Sequence, residues 1–146
     1  YHVLELDTDG TKQAEHFINA VGEDLSGRLI PAVEVRLRGL YRLLPPDYYE
    51  AADNLADFCD RIEKQYGVRP VIYCTERTYK NIVASDSRFN KDKIWYESLF
   101  SRPDEDMDWT FWTYTNRVKF SFYESGEYLH MTVFNGSEDD FKKLII

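Results

Sequence analysis

The chain has 146 residues and a formal net charge of −8, with 43% hydrophobic and 30% charged residues. That is the composition of one globular domain, neither disordered nor membrane-embedded, and it is too short for a complete eight-stranded β/α barrel. The acidic balance argues against nucleic acid as a main partner, because phosphate binding rests on clustered Lys and Arg, and no apolar run is long enough to span a bilayer.

The first strand-like run is Tyr1 to Leu6. The chain opens without Met and without a charged-then-apolar leader, which reads as a fragment or processed piece. Asp9-Gly10-Thr11 then turns into a helix whose Ala14, Phe17, Ile18 and Val21 follow the i, i+3, i+4, i+7 spacing, with Gly22 placed to end it. An apolar strand follows at Ile30 to Leu37. Gly39 and Pro45-Pro46 enclose a loop rich in Arg, Leu and Tyr, a common setting for function. Asp47, with Glu50 three residues on, caps a helix striped by Tyr48, Ala51, Leu55, Phe58, Ile62 and Tyr66, and Gly67 closes it. Pro70 to Thr75 is a buried strand leading into a short helix with Tyr79, Ile82 and Val83 on one face. This alternation predicts parallel strands with right-handed crossovers.

The pattern then changes. Ile94 to Leu99, Trp109 to Thr115, Val118 to Tyr123 and Tyr128 to Phe134 are strand-like, with no room between them for long helices. Ser137 and Asp140 open a final helix carrying Phe141, Leu144 and Ile145. Cys59 on an apolar helix face and Cys74 within a strand are expected to be buried free thiols, although sequence alone does not exclude a disulfide. The acidic run Asp104 to Asp108 lacks the Gly and the distant Glu of a calcium loop and reads as a solvated turn. No zinc spacing and no phosphate-binding Gly-rich loop is present, so no metal or cofactor is expected.

Several segments resemble the glycoside hydrolase family 25 lysozymes, muramidases that cut the MurNAc–GlcNAc link of peptidoglycan. They are Tyr1-His2 with Asp7 and Gln13-Ala14-Glu15, Pro31-Ala32-Val33-Glu34-Val35, Pro70-Val71-Ile72-Tyr73, Trp109-Thr110-Phe111-Trp112-Thr113-Tyr114, and Val133-Phe134-Asn135-Gly136-Ser137. The resemblance implies an α/β fold, a partial TIM-like (β/α) barrel with βα units first and a β-rich end. Residues 1–146 would form a single domain lacking the barrel's first strands, one of which brings an active-site Asp. It also implies a setting outside the cell or at the cell wall, and peptidoglycan or a related glycan as partner.

Glycoside hydrolysis commonly needs one protonated carboxyl as acid and a second carboxylate. In the family one strand carries Asp-x-Glu, whose period-2 spacing points both carboxylates into the barrel mouth. Here those positions are Glu34 and Arg36. His130 stands where the family has a late Asp, Thr132 where it has Asn, and Thr113 where it has Gln. Glu34 is the one carboxylate matched to the family's acidic set, and a guanidinium beside it would hold it ionised, the wrong state for a general acid.

The expected reading is therefore a lysozyme-like domain with impaired catalysis. Two others stay open: an active hydrolase in which Glu34 works with Glu76, Glu97 or His130, and a non-catalytic module binding glycan or, through Arg36, Arg38 and Arg42, an anionic wall polymer. Tyr73, Trp95, Trp112 and the opening Tyr1-His2 pair are the expected sugar contacts, although aromatic residues also fill cores. Glu34 and Arg36 could equally form a plain ion pair on a strand face. The open first strand should be covered by a second copy or by an upstream segment.

Overall fold

A computed structural model describes residues 1–120 and 128–146. Its elements are β1 (His2–Val3), α1 (Gly10–Val21), β2 (Ala32–Val35), a 3-10 turn (Gly39–Arg42), α2 (Tyr48–Tyr66), β3 (Val71–Thr75), α3 (Glu76–Thr78) continuing into a π turn (Tyr79–Val83), a 3-10 turn (Ser87–Phe89), β4 (Ile94–Glu97), β5 (Phe111–Val118), β6 (Leu129–Phe134) and α4 (Glu138–Lys142).

The strands form one sheet in the order β1-β2-β3-β4-β5-β6. The pairs from β1 to β5 are parallel and β5–β6 is antiparallel. Helical segments join the first four strands, and the end is strand-rich. This is the partial α/β barrel that the resemblance implies, with the parallel strands that the alternation predicts.

The elements are shorter than the apolar runs that announce them. Only His2 and Val3 of the first run pair as strand, and Ala32 to Val35 of the second. The two runs expected at Trp109–Thr115 and from Val118 onward form one strand through Val118, because register shifts against β6 at Thr115 and Val118 absorb the polar Asn116-Arg117 within it. Of the rest of the expected Val118–Tyr123 strand, Lys119 and Phe120 lie beyond β5 and residues 121–123 lie outside the described residues.

Both long helices are capped as their sequences require. The Asp9 carboxylate accepts from the Lys12 N–H at α1, and Asp47 accepts from Tyr49 and Glu50 at α2. Gly67 ends α2 at φ 74°, a left-handed conformation that suits glycine. The two helices pack closely where α1 begins. A Cβ on Gly10 would lie 1.8 Å from the Asn54 carbonyl oxygen, and the Asn54 side chain accepts from the Gly10 N–H and donates to the Leu6 carbonyl.

The core lies between the sheet and these helices. Val33, Val35, Ile72, Cys74, Ile94 and Tyr96 from the strands meet Phe17, Leu55, Phe58, Cys59 and Ile62 from the helices. Cys59 and Cys74 are buried free thiols, and burial pushes both upward in pKa. Since strand side chains alternate, the residues between these core positions face the other way, and they build the site.

Candidate functional site

Parallel register sets two rows of side chains across the opposite face of the sheet. Glu34 lies beside Tyr73, Tyr73 beside Trp95 and Trp95 beside Phe111. One step along, Thr75 lies beside Glu97 and Glu97 beside Thr113. Arg36, just past the end of β2, extends this second row, and the small Thr75 leaves its long side chain room to cross β3. The second row lies at the carboxyl ends of β2, β3 and β4, where barrel folds place their sites.

Arg36 joins the two carboxylates of this face. Its Nε donates to Glu34 Oε1 at 2.7 Å. Nη1 donates to Glu97 Oε1 at 3.1 Å and Nη2 to Glu97 Oε2 at 2.7 Å, the fork geometry that suits a carboxylate. Nη2 also donates to the Tyr73 hydroxyl at 3.1 Å, and that hydroxyl donates to Glu97. Arg38 Nη2 adds a bond to Glu34 Oε1 at 3.1 Å. Glu34 and Glu97 are 8% and 9% exposed, so both are buried charges matched by a guanidinium.

These contacts fix protonation states. Burial alone would raise the Glu97 carboxyl, but hydrogen bonds from Arg36 and Tyr73 outweigh it and hold Glu97 below the ordinary glutamate range. Burial works against the Arg36 cation, yet its bonds to Glu97 and Glu34 raise it further above the physiological range. Burial, then the bond to Glu97, pushes the Tyr73 phenol upward, so it stays a neutral donor.

Above the rows opens a cleft of about 570 Å³, lined by Tyr1, Ala32, Glu34, Arg36, Arg38, Arg42, Tyr73, Trp95 and His130. The Trp95 ring is 4.8 Å from the Tyr73 ring, and its indole N–H donates to Thr113 Oγ1 at 2.8 Å. Thr113 in turn bonds Thr132 at 2.7 Å. Thr113 and Thr132 thus form a hydrogen-bonded chain that fixes the tryptophan wall.

Most of the site residues named from sequence meet here: Glu34, Arg36, Tyr73, Trp95 and the exposed His130. Two do not. Trp112 sits beside Tyr96 on the core-facing side, with its indole N–H donating to the Ser98 carbonyl at 3.0 Å and its ring edge-to-face with Trp109. His2 likewise lies on the core side, stacked 5.0 Å from Phe58 and bonded to Gln13, while Tyr1 reaches the cleft. Period-2 alternation decides both placements.

Glu97 is the residue of this cluster least evident from sequence, where it is one of three alternative partners for Glu34. The signal was the alternation Trp95-Tyr96-Glu97, which puts Glu97 on the Trp95 face. Glu76, its rival, is exposed and paired with Lys80 at 2.6 Å.

Residues 1–121 match the family model for glycosyl hydrolases family 25. The chain belongs to that family. A family 25 glycosyl hydrolase from Bacillus anthracis is 28% identical, with a TM-score of 0.85 over 100% of this chain and 67% of that one. A bacterial lysozyme from Streptomyces coelicolor is 23% identical, with a TM-score of 0.74 over 94% of this chain and 66% of that one. A family 25 lysozyme from Aspergillus fumigatus is 18% identical, with a TM-score of 0.70 over 94% and 67%. No curated protein sequence matches the chain. This family 25 domain spans about two thirds of the length of these structural neighbours.

Proposed function

We propose that this family 25 domain is a lysozyme-like glycan-binding unit whose hydrolytic step is impaired. Its ligand is peptidoglycan or a related glycan, and its setting is outside the cell or at the cell wall. The observation that carries the reading is the position of Arg36, bonded to both Glu34 and Glu97. Hydrolysis needs a carboxyl that keeps a proton near neutral pH and gives it to the leaving oxygen. A guanidinium gives up no proton there. Glu97 is held as the ionised form by the contacts that bury it. His130, in the late acidic position, lines the cleft as a neutral or cationic group and supplies no second carboxylate.

The experiment is a turbidity assay on purified peptidoglycan with the intact protein. No clearing above background is expected. Lysis abolished by Glu34→Gln or Glu97→Gln would replace this reading with an active hydrolase. One observation favours that second reading: Glu34 lines the cleft and Arg36 ties it to the buried Glu97, so an Arg36 swung aside by substrate would free both carboxylates of their shared partner.

The reading extends to the outer edge of β1. Among the described residues β1 pairs with β2 alone, and Tyr1 is 83% exposed beside it. Such an edge is a template for further pairing. A second copy or polypeptide upstream of Tyr1 covers it in this reading. Light scattering on residues 1–146 should report self-association, and a strict monomer that is less stable than a longer chain would assign the role to the upstream segment.

A further inference from the structure

Resting on the glycan-cleft reading above, we infer that the preferred ligand is an anionic glycan whose carboxylate or phosphate oxygens are received by Arg38 and Arg42. The acidic groups of the site are already engaged. Arg36 bonds both Glu34 and Glu97, and Arg38 adds a second cation at Glu34, so two guanidiniums balance the two carboxylates. Arg38 uses Nη2 on Glu34, its side chain stays 53% exposed, and its remaining N–H groups have no other partner among the described residues. Arg42 lines the same cleft, and its guanidinium has no acidic partner among the described residues. Three guanidiniums against two carboxylates make this a cationic site on a chain of net charge −8. The attraction is therefore local and cannot come from overall charge.

The backbone that carries the two cations is tied down. Arg38 precedes and Arg42 ends the turn Gly39–Arg42, whose Tyr41 N–H donates to the Arg38 carbonyl at 3.1 Å. The Tyr41 hydroxyl donates to Asp7 at 2.6 Å, tying the turn to the loop after β1. Below the turn, Trp95 and Tyr73 supply an aromatic wall for a sugar ring, and a cleft of about 570 Å³ is within the range of small-ligand sites. A sugar face on the aromatic wall with its acidic substituent toward residues 38 and 42 satisfies both halves of the cleft. Guanidinium forks suit carboxylate and phosphate alike, so the shared chemistry is the anionic oxygen pair.

The test is tryptophan-fluorescence titration of the whole chain with a neutral GlcNAc oligomer, a uronic-acid oligosaccharide and a poly(glycerol phosphate). At least one anionic probe should bind about tenfold or more tightly than the neutral one and weaken steeply with added salt. The stronger anionic arm identifies the source of the charge. Arg42→Gln, at an exposed position with no side-chain partner among the described residues, should remove most of that preference. Arg38→Gln should act in the same direction. Equal binding of neutral and anionic probes, or an anionic preference untouched by Arg42→Gln, overturns the inference while the glycan-binding reading stands. Absence of binding by all three probes overturns both.

Discussion

The Arg36 guanidinium grips the Glu97 carboxylate at 2.7 and 3.1 Å although 61 residues separate them in sequence. The pair is reached across β3, over Thr75, and the same guanidinium holds Glu34 on its other side. Removing it strands two buried carboxylates. Arg36→Met should cost roughly 3 kcal/mol at neutral pH in urea denaturation, because breaking one partner of a buried ion pair leaves uncompensated charge. Glu97→Gln in the Arg36→Met background should recover part of the loss, and a fully additive double variant would show that the residues are not coupled.

The depressed Glu97 carboxyl makes stability pH-dependent with a definite sign. Its contribution is fully present above the ordinary value of 4.5 and is lost as pH falls through the lower folded value. Glu97→Gln should therefore lower stability at neutral pH and flatten the acid limb of the stability profile. Parallel acid limbs for the two proteins, measured by thermal melts from neutral pH downward, would contradict the assignment.

Trp95 and Trp112 belong to adjacent strands but opposite faces of the sheet. Trp95→Ala should weaken glycan binding several-fold, since a stacked ring contributes on the order of 1 kcal/mol. Trp112→Phe should leave binding intact and cost about 1 kcal/mol of stability through the lost bond to the Ser98 carbonyl. Calorimetric titration with denaturation on the same samples separates the two effects.

At Gly10 the constraint is steric. An added methyl would meet the Asn54 backbone at 1.8 Å, and backbone cannot rotate away as a side-chain tip can. Gly10→Ala should destabilise by about 2–3 kcal/mol, as overpacking does. A melt within a degree or two of the parent would show that α1 and α2 separate easily.

A second guanidinium hub lies at the other end of the strands and serves as a control. Arg69, just before β3, bonds Asp92, Asp60 and Glu63, and the Asp92 side chain is only 3% exposed. Arg69→Ala should cost roughly 3 kcal/mol by stranding Asp92 and leave glycan affinity unchanged. A change in affinity would mean that damage at the base of the sheet reaches the cleft.

Much of this was legible in the linear chain. The Asp9 and Asp47 caps, the α2 stripe from Tyr48 to Tyr66 and the switch to strands after Ile94 are local signals, each set by hydrogen bonding or burial within a few residues. The motif at Glu34 and Arg36 was visible for the same reason, as two side chains on one face of one strand. The merging of two expected strands into β5 was not visible, because Asn116 and Arg117 look like turn residues until β6 supplies a partner that accommodates a bulge.

Sequence by itself determined the family, the order of strands and helices and the placing of Glu34 and Arg36 on one face of one strand. Tertiary structure alone decided that Arg36 closes on Glu97 and that His2 and Trp112 turn toward the core. It also left Arg42 facing the cleft without an acidic partner among the described residues. The reason is physical. Caps and apolar periodicity act over a few residues, whereas the partner of a buried charge is set by parallel register between strands far apart in the chain, which no local pattern encodes.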